Sequence, residues 1–445
     1  MSDENRALGV AILGCGTVGG STAQILTRDK DLLSRRAGRE IELKYVVDID
    51  FETARKLGLD ESLLTEDYRK VLEDKSVDVV VELVGGTTIA KDFTERAFKA
   101  GKHVVTANKA LLAHHGTELW RLARENSVSM AFEASCAGGI PIIRALTDGL
   151  IANRIEAIYG IVNGTSNYIL TEMTQYGQSY LDSLHDAQRK GLAEADPTLD
   201  VGGGDSAHKL AIMAGLAFGE DVDFDAIPVA GIDKLELMDV QFGQELGYVM
   251  KLLAIAQREA DGVSLRVQPV FIWREHPLAW VSGPFNAVSV YGSNVGHTMY
   301  YGRGAGGSPT ASAVVADIVG LATGTAQASF NQLGIWPDKA QRSKQLPPEK
   351  SKSRYYLRVI AEDHPGVLAQ VADILGRHGI SISSVLQHEA LHGEDTPHGV
   401  PVVITTYTAQ EGNMRNALAE VGDMDDIKDD PVCIGIVTEH PEWGE

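Results

Sequence analysis

The chain has 445 residues, 44% of them hydrophobic and 23% charged. That is ordinary globular composition in a chain too long for one hydrophobic core, so two or three domains are expected. A formal net charge of −21 argues against nucleic acid and anionic membranes as partners, because the summed field repels polyanions.

The first apolar run, Ala7 to Leu13, reads as a buried strand, and the turn Gly14-Cys15-Gly16-Thr17-Val18-Gly19 follows it at once. A helix is expected from Thr17 to about Leu33, then strands at Ile41–Val47, Val77–Leu83, His103–Thr106 and near Val128–Glu133. The third is almost continuously apolar, as a parallel strand covered on both faces must be. Strands alternating with helices over residues 7–140 predict an α/β fold, a Rossmann-like doubly wound sheet. Beyond Ile142 the pattern becomes α+β. Helices are expected over about 142–151, 166–177, 180–190, 205–219 and 243–260, and strands at Ala157–Val162 and Ala287–Val290. A helix over Thr310–Thr323 is a candidate to pack back on the first domain. Residues 335–354 hold three prolines and many charges, a linker composition. Tyr355 to Val437 then reads strand, helix (Val367–Arg377), strand (Ile380–His388), a polar loop with Gly393 and Pro397, strand (Val400–Tyr407), helix (Asn413–Val421), strand. That βαββαβ order is ferredoxin-like. The expected division is a dinucleotide-binding domain, 1–141, completed by about 310–330; a substrate-binding and dimerisation domain, 142–309; a linker, 335–354; and a C-terminal domain, 355–445.

Cys15, Cys136 and Cys433 are far apart and show no CxxC spacing, which excludes a disulfide framework and a zinc site and points to a reducing compartment. The opening MSDENRALGV is acidic and polar, unlike a signal peptide. No apolar run approaches the roughly 20 residues that span a bilayer. A soluble, cytoplasmic protein is expected.

The glycine-rich turn gains meaning from its context, after a strand and opening a helix. Gly14 permits the tight turn, Gly16 lets backbone approach a pyrophosphate, and Gly19 lets helix and strand pack closely. The helix N-terminus offers N–H groups to phosphate. Asp48, ending the second strand, is placed to accept a ribose 2′-hydroxyl, with Asp50 as competitor. An acid there favours NAD over NADP, although Arg55 or Lys56 folding back would reverse that.

Residues 191–209, GLAEADPTLDVGGGDSAHK, carry the acids Glu194, Asp196 and Asp200, then a triple glycine, then a helix opening at Asp205. Asp205 and Lys209, four apart, share a helix face. The helix continues LAIMAGLAFG, apolar all round, and so is expected to be buried. A lysine there is costly unless paired. Desolvation would depress its pKa and a carboxylate neighbour would raise it. Two readings stand: Lys209 supplies a proton to a carbonyl being reduced, or Asp205 merely caps the helix and Lys209 reaches solvent.

This segment resembles the signature of the homoserine dehydrogenases. So do Thr106-Ala107-Asn108-Lys109, Glu133 to Pro141 (EASCAGGIP), Asn163 to Tyr168 (NGTSNY), and Tyr301 to Gly306 with Pro309 to Ala313, in order over residues 7–330. The resemblance implies interconversion of L-aspartate 4-semialdehyde and L-homoserine with NAD(P), within threonine, methionine and isoleucine biosynthesis. It implies that Lys209 is the proton donor and that Asp205 orients substrate or Lys209. Glu194 and Asp200 would bind the substrate's amino end, Gly164 and Thr165 its backbone, and Lys109 would lie between cofactor and substrate. Thr17, Val18 and Gly306 would contact the dinucleotide. A monovalent cation (Na+) would be held at Glu133, Cys136, Gly138 and Ile140. Leu192 stands where the family usually has an aromatic residue, and Cys136 where it has valine, a small buried filler rather than a reactive thiol.

Asp363-His364-Pro365-Gly366-Val367-Leu368 resembles the turn of an ACT domain. Such domains pair side by side and bind amino acids, which implies threonine as effector at Asp363, Gly366 and Val367 and a dimer or tetramer of the chain. A purely structural assembly module is the other reading, and His364 and His388 read as surface residues rather than metal ligands. Two alternatives compete for the whole chain: a non-enzymatic dinucleotide and amino-acid sensor, and a different Rossmann-plus-ACT hydroxy-acid dehydrogenase. The first has no need of a buried acid–base lysine. The second usually inserts the dinucleotide fold within the substrate domain, whereas here it comes first.

Overall fold

The computed structural model describes residues 6–388 and 399–438; the expected loop at Gly393 and Pro397 lies outside them. The chain forms two compact units, Met1–Gly164 with Asp205–Ile227 and Pro284–Ser343, and Thr165–Gly204 with Pro228–Gly283 and Lys344–Glu445.

The first unit contains a six-stranded parallel sheet of β1 (Leu8–Leu13), β2 (Ile41–Val47), β3 (Leu64–Thr65), β4 (Val79–Glu82), β5 (His103–Thr106) and β6 (Met130–Ala131). Its spatial order is β3-β2-β1-β4-β5-β6. The order reverses between β1 and β4, and ligands of such sheets bind outside the strands' carboxyl ends at that point. Every residue of β1 and β4 is buried, which explains their apolar character up to Glu82 at the end of β4. The short β3 carries no strong pattern and escapes sequence reading. The expected Thr17–Leu33 helix is two helices, Thr17–Arg28 and Lys30–Ala37, broken at Asp29 (φ −101°, ψ 19°). Asp29 accepts from the Arg28 guanidinium, Nε at 2.9 Å and Nη2 at 2.6 Å. The helix Gly307–Ala322 joins the core of this sheet, with Val314, Ile318 and Leu321 beside Val10, Ala23 and Leu26. A Cβ on Gly307 would stand 2.6 Å from Ser21 Oγ, so only glycine permits that approach. The same unit holds antiparallel strands Ile155–Ile161, Phe285–Gly292 and Gly296–Arg303, and the helix Gly204–Phe218.

In the second unit one expectation fails. The segment expected as a helix over 243–260 is a short helix, Leu237–Glu245, followed by the strand Tyr248–Glu259. Leu, Ala, Met, Lys and Gln there favour helix. Twelve residues of antiparallel pairing with Gly262–Trp273 override that propensity. The two-residue Ala260-Asp261 loop, followed by Gly262, closes this hairpin, and Asp-Gly is its sequence signal.

The C-terminal part is the expected βαββαβ fold, with strands Lys352–Ala361, Ile382–Gln387, Val400–Thr406 and Val432–Val437 and helices Val367–Arg377 and Glu411–Gly422. Leu357, Val371, Leu375, Ile404 and Ala417 fill its core. It is not a separate bead. The Val432–Val437 strand pairs antiparallel with Lys352–Ala361 on one side and parallel with Gly262–Trp273 on the other. Arg358 forks onto Asp239, Nε to Oδ1 at 2.7 Å and Nη2 to Oδ2 at 3.0 Å, and Tyr356 donates to the same carboxylate at 2.9 Å. The linker-like segment 335–354 is tied down as well. Trp336 is buried, Arg124 pairs with Asp338 at 2.7 Å, and Val263 exchanges backbone hydrogen bonds with Lys344 and Leu346.

Candidate active site

The glycine turn after β1 is built as its spacing requires. Gly14 has φ +91°, and a Cβ there would lie 2.7 Å from the Leu83 carbonyl oxygen. A Cβ on Gly19 would lie 1.8 Å from the Gly14 carbonyl oxygen, while one on Gly16 would meet nothing within 4 Å. Gly16 therefore faces open space where another molecule's phosphate can approach. Thr17 and Val18 open the helix, whose first amides lack intrahelical acceptors. Asp48 does more than end β2. Its Oδ2 accepts the Cys15 amide, and Oδ1 accepts the amides of Ile49 at 2.7 Å and Asp50 at 3.2 Å. Its carboxylate thus fastens the turn. Arg55 and Lys56 are engaged with Glu61 and Glu52. Gly306, at φ +113°, caps the Gly307–Ala322 helix.

Four polar side chains converge on one point of this unit. Lys209 Nζ donates to Asp205 Oδ2 at 2.7 Å and to the Val162 carbonyl at 2.6 Å. Lys109 Nζ lies 2.7 Å from Asp205 Oδ1, and Asn163 Nδ2 donates to Oδ2 at 2.9 Å. The Gly204–Phe218 helix is buried over nearly its whole length, Lys209 included. That disposes of the reading in which Lys209 reaches solvent. Burial alone would raise the Asp205 carboxyl; the charges of Lys209 and Lys109 and their hydrogen bonds overcome it and hold Asp205 well below the usual carboxylate range. Lys109 opens the helix Lys109–Glu125, capped by Asn108, whose Oδ1 accepts the Leu111 amide at 3.0 Å. Cys136 is buried with Sγ 3.8 Å from the Lys209 carbonyl. Burial pushes its thiol up to about 12, the behaviour of an inert filler.

Asn163 stood inside a recognisable motif but drew no role from its sequence. The ring cluster beside the site was also missed. His208 stacks on Phe224 at 4.9 Å and meets His114 edge-on at 5.5 Å. Burial lowers His208 to about 4, so it is neutral at physiological pH.

Thr165, Glu194 and Asp200 lie in the second unit. Thr165 Oγ1 donates to the Leu192 carbonyl at 2.6 Å, and Ser166 Oγ to the Asp200 carbonyl at 3.0 Å. These bonds anchor the acid-rich loop to the helix Gly164–Tyr176. Glu194 is exposed on that loop, its carbonyl accepting from Gln188 at 3.2 Å. Gly164 closes the first unit, where a Cβ would lie 3.0 Å from the Pro284 carbonyl oxygen.

Glu133 spends both carboxylate oxygens on the amides of Ile143 and Arg144, at 2.8 and 2.9 Å. The Ile140 carbonyl accepts from Ile142 at 2.8 Å. In the C-terminal fold, Gly366 adopts φ +105° at the start of the Val367–Arg377 helix. A cavity of about 210 Å³ lies there, lined by Asp363, Gly366, Val367, Gln387 and Val400 among others. His364 is engaged with Asp426 at 3.1 Å. His388 is exposed, held by Glu245 at 2.9 Å.

A doubly wound parallel sheet with an open glycine turn, and in the same unit a buried lysine paired with a buried aspartate, is the equipment of a dinucleotide-dependent oxidoreductase. Comparison with known proteins specifies the kind. The homoserine dehydrogenase family model matches residues 141–319, its NAD-binding domain matches 14–133, and an ACT domain matches 355–423. Homoserine dehydrogenase of Pseudomonas aeruginosa is 45% identical over 434 residues, covering 96% of this chain and 98% of its own. The crystal structure of a homoserine dehydrogenase from Thiobacillus denitrificans superimposes with a TM-score of 0.91 at 42% identity, covering 97% of this chain and 98% of that one. A hyperthermophilic archaeal homoserine dehydrogenase in complex with NADPH aligns at a TM-score of 0.59 and 25% identity, covering 71% and 97%. The chain belongs to the homoserine dehydrogenase family and is an oxidoreductase. That displaces the sensor and hydroxy-acid readings. Among the described residues no single helix is long and apolar enough to cross a membrane.

Proposed function

We propose that the chain interconverts L-aspartate 4-semialdehyde and L-homoserine, with Lys209 as the acid–base group. The observation that carries this reading is the buried Lys209–Asp205–Lys109 cluster. In the direction of reduction the Lys209 ammonium gives its proton to the aldehyde oxygen as that oxygen becomes a hydroxyl. In oxidation the neutral amine takes it back. Asp205 aims Lys209 through their hydrogen bond, and Lys109 steadies Asp205 from its other oxygen. Bound NAD(P) supplies or accepts the hydride. Gly14, Gly16, Thr17, Val18, Gly19 and Gly306 cradle the dinucleotide, and Asp48 holds the turn while leaving a lone pair for a ribose hydroxyl. NAD is accepted, because Arg55 and Lys56 are engaged elsewhere; the archaeal relative with NADPH supports the same nicotinamide chemistry. Glu194 and Asp200 hold the substrate's ammonium end, and Gly164 and Thr165 its backbone. A monovalent cation, where bound, sits on carbonyl oxygens near Cys136 and Gly138 rather than on the Glu133 carboxylate.

Threonine is the proposed effector at Asp363, Gly366 and Val367, supported by the cavity at that turn. A homo-oligomer working in the cytoplasm, in threonine, methionine and isoleucine biosynthesis, completes the reading. The test is homoserine oxidation by purified protein with NAD and NADP side by side, wild type against Lys209→Ala. Turnover should fall at least about 10²-fold with cofactor affinity little changed. Near-normal turnover at saturating substrate would remove Lys209 from its role.

A further inference from the structure

The reaction chemistry leaves one buried carboxylate of the dinucleotide fold without employment. Glu82 ends β4 and is 0% exposed. Its partners are hydrogen-bond donors, not cations: Oε1 accepts the amides of Val84 at 3.0 Å and Gly85 at 3.3 Å, and Oε2 accepts the Thr106 hydroxyl at 2.6 Å. Burial, the largest influence, pushes its carboxyl up, and these donors only partly offset that. An apolar side chain would complete the VVVE strand at lower cost, since a buried charge is expensive wherever it is not fully solvated by the protein. The carboxylate therefore calls for a purpose other than packing.

The hydrogen bonds supply one. Thr106 Oγ, fixed by Glu82, accepts the Asn108 amide at 3.0 Å. Asn108 Nδ2 donates to the Gly86 carbonyl at 2.7 Å, on the loop whose amides Glu82 also holds. Asn108 is the cap of the Lys109–Glu125 helix. The next residue, Lys109, reaches Asp205 at 2.7 Å. The ends of β4 and β5 and the first turn of that helix are thus locked around a single carboxylate.

We propose that Glu82 is a positioning residue that sets Lys109 against Asp205, acting through Thr106 and Asn108. The proposal rests on the reading of Lys109 as part of the reacting site. The test is a double-mutant cycle of Glu82→Gln with Lys109→Met, read as kcat for homoserine oxidation in all four proteins. Glu82→Gln keeps the shape but cannot accept from the amides and the hydroxyl together. It should lower kcat about tenfold in the wild-type background and less than about twofold in the Lys109→Met background. Equal losses in both backgrounds mean a general structural role and overturn the proposal while leaving Lys109 in place. Wild-type turnover of Lys109→Met alone overturns the Lys109 reading, and the proposal with it. If Glu82→Gln does not accumulate as folded protein, Thr106→Val cuts the same link from the other side and is read in the same cycle.

Discussion

Asp205→Asn removes one negative charge, keeps the side-chain shape, and leaves two ammonium groups facing each other with no anion between them. The Lys209 side chain is 9% exposed and that of Lys109 is 35% exposed, so the two losses differ. Removing one partner of a buried ion pair costs about 3–5 kcal/mol. The Lys109 arm can swing into water, and screening limits its share to roughly 1 kcal/mol or less. Lys209 also keeps the Val162 carbonyl, which favours the lower end, about 3 kcal/mol in total. Turnover should fall further than stability suggests, by about 10²–10³-fold, because the aim of a general acid depends on Asp205. Steady-state homoserine oxidation at saturating cofactor measures the first effect, and thermal unfolding followed by circular dichroism the second. The pH dependence supplies an internal check. The folded carboxyl lies below its ordinary value of 3.8, so its stabilisation is fully present above about pH 4 and is lost as pH falls below that, towards the depressed folded value. The asparagine variant should lack that acid-limb loss. Turnover within about threefold of wild type, or an unchanged acid limb, would refute the reasoning.

Lys251 is buried and donates to Asn167 Oδ1 and the Val281 carbonyl, at 3.2 and 2.6 Å, and burial lowers its ammonium from 10.5 to about 8. The unfolded chain then binds more protons between those values, so stability should rise by about 3 kcal/mol across that window; Lys251→Met should abolish the rise in unfolding midpoint from pH 8 to 10, and an unaltered slope counts against it. Arg358→Met leaves the Asp239 carboxylate, 1% exposed, with the Tyr356 hydroxyl and should cost about 3–5 kcal/mol by urea unfolding; a loss under about 1 kcal/mol would show the pair to be idle. Truncation after Gly334 should yield aggregated protein rather than an unregulated enzyme, because it bares the Val270–Ile272 edge; a soluble truncated chain with wild-type turnover would contradict this. Asp48→Ala should weaken NAD and NADP by similar factors, since it loosens the turn through Cys15; a loss confined to NAD would assign Asp48 to the ribose alone.

The central strands β1 and β4 of the first sheet were legible because burial on both faces writes itself as a largely apolar run. So was the glycine turn, where φ and close approach leave no other residue. The Tyr248–Glu259 strand was not, since its residues favour helix and only its partner strand decides otherwise. The pairing of Asp205 with Lys209 followed from a four-residue spacing. Its third member, Lys109, came from a separate motif, and its distance to Asp205 could be known only from coordinates. Glu82 did leave a trace, one acid ending an apolar strand, but the hydrogen bonds that give it meaning join the separate segments that follow β4 and β5. The linker composition of 335–354 agrees with the passage from the first unit to the second at Ser343–Lys344, but prolines and charges say nothing of Trp336 finding a core. The C-terminal fold was legible as a unit, while its parallel seam to Gly262–Trp273 was not.

That seam bears on how the chain is made. Gly435 pairs with Val270, so one edge of the Gly262–Trp273 strand stays open on the ribosome until the Val432–Val437 strand has been synthesised. Contacts this distant in sequence carry a large loop-closure cost and form late. Between the synthesis of Trp273 and that of Val432 the hairpin of Tyr248–Trp273 therefore presents an unpaired apolar edge at Val270–Ile272, the feature most prone to wrong partners. Substitutions in Val432–Val437 should appear first as poor yield during expression, before any defect in the enzyme that does fold.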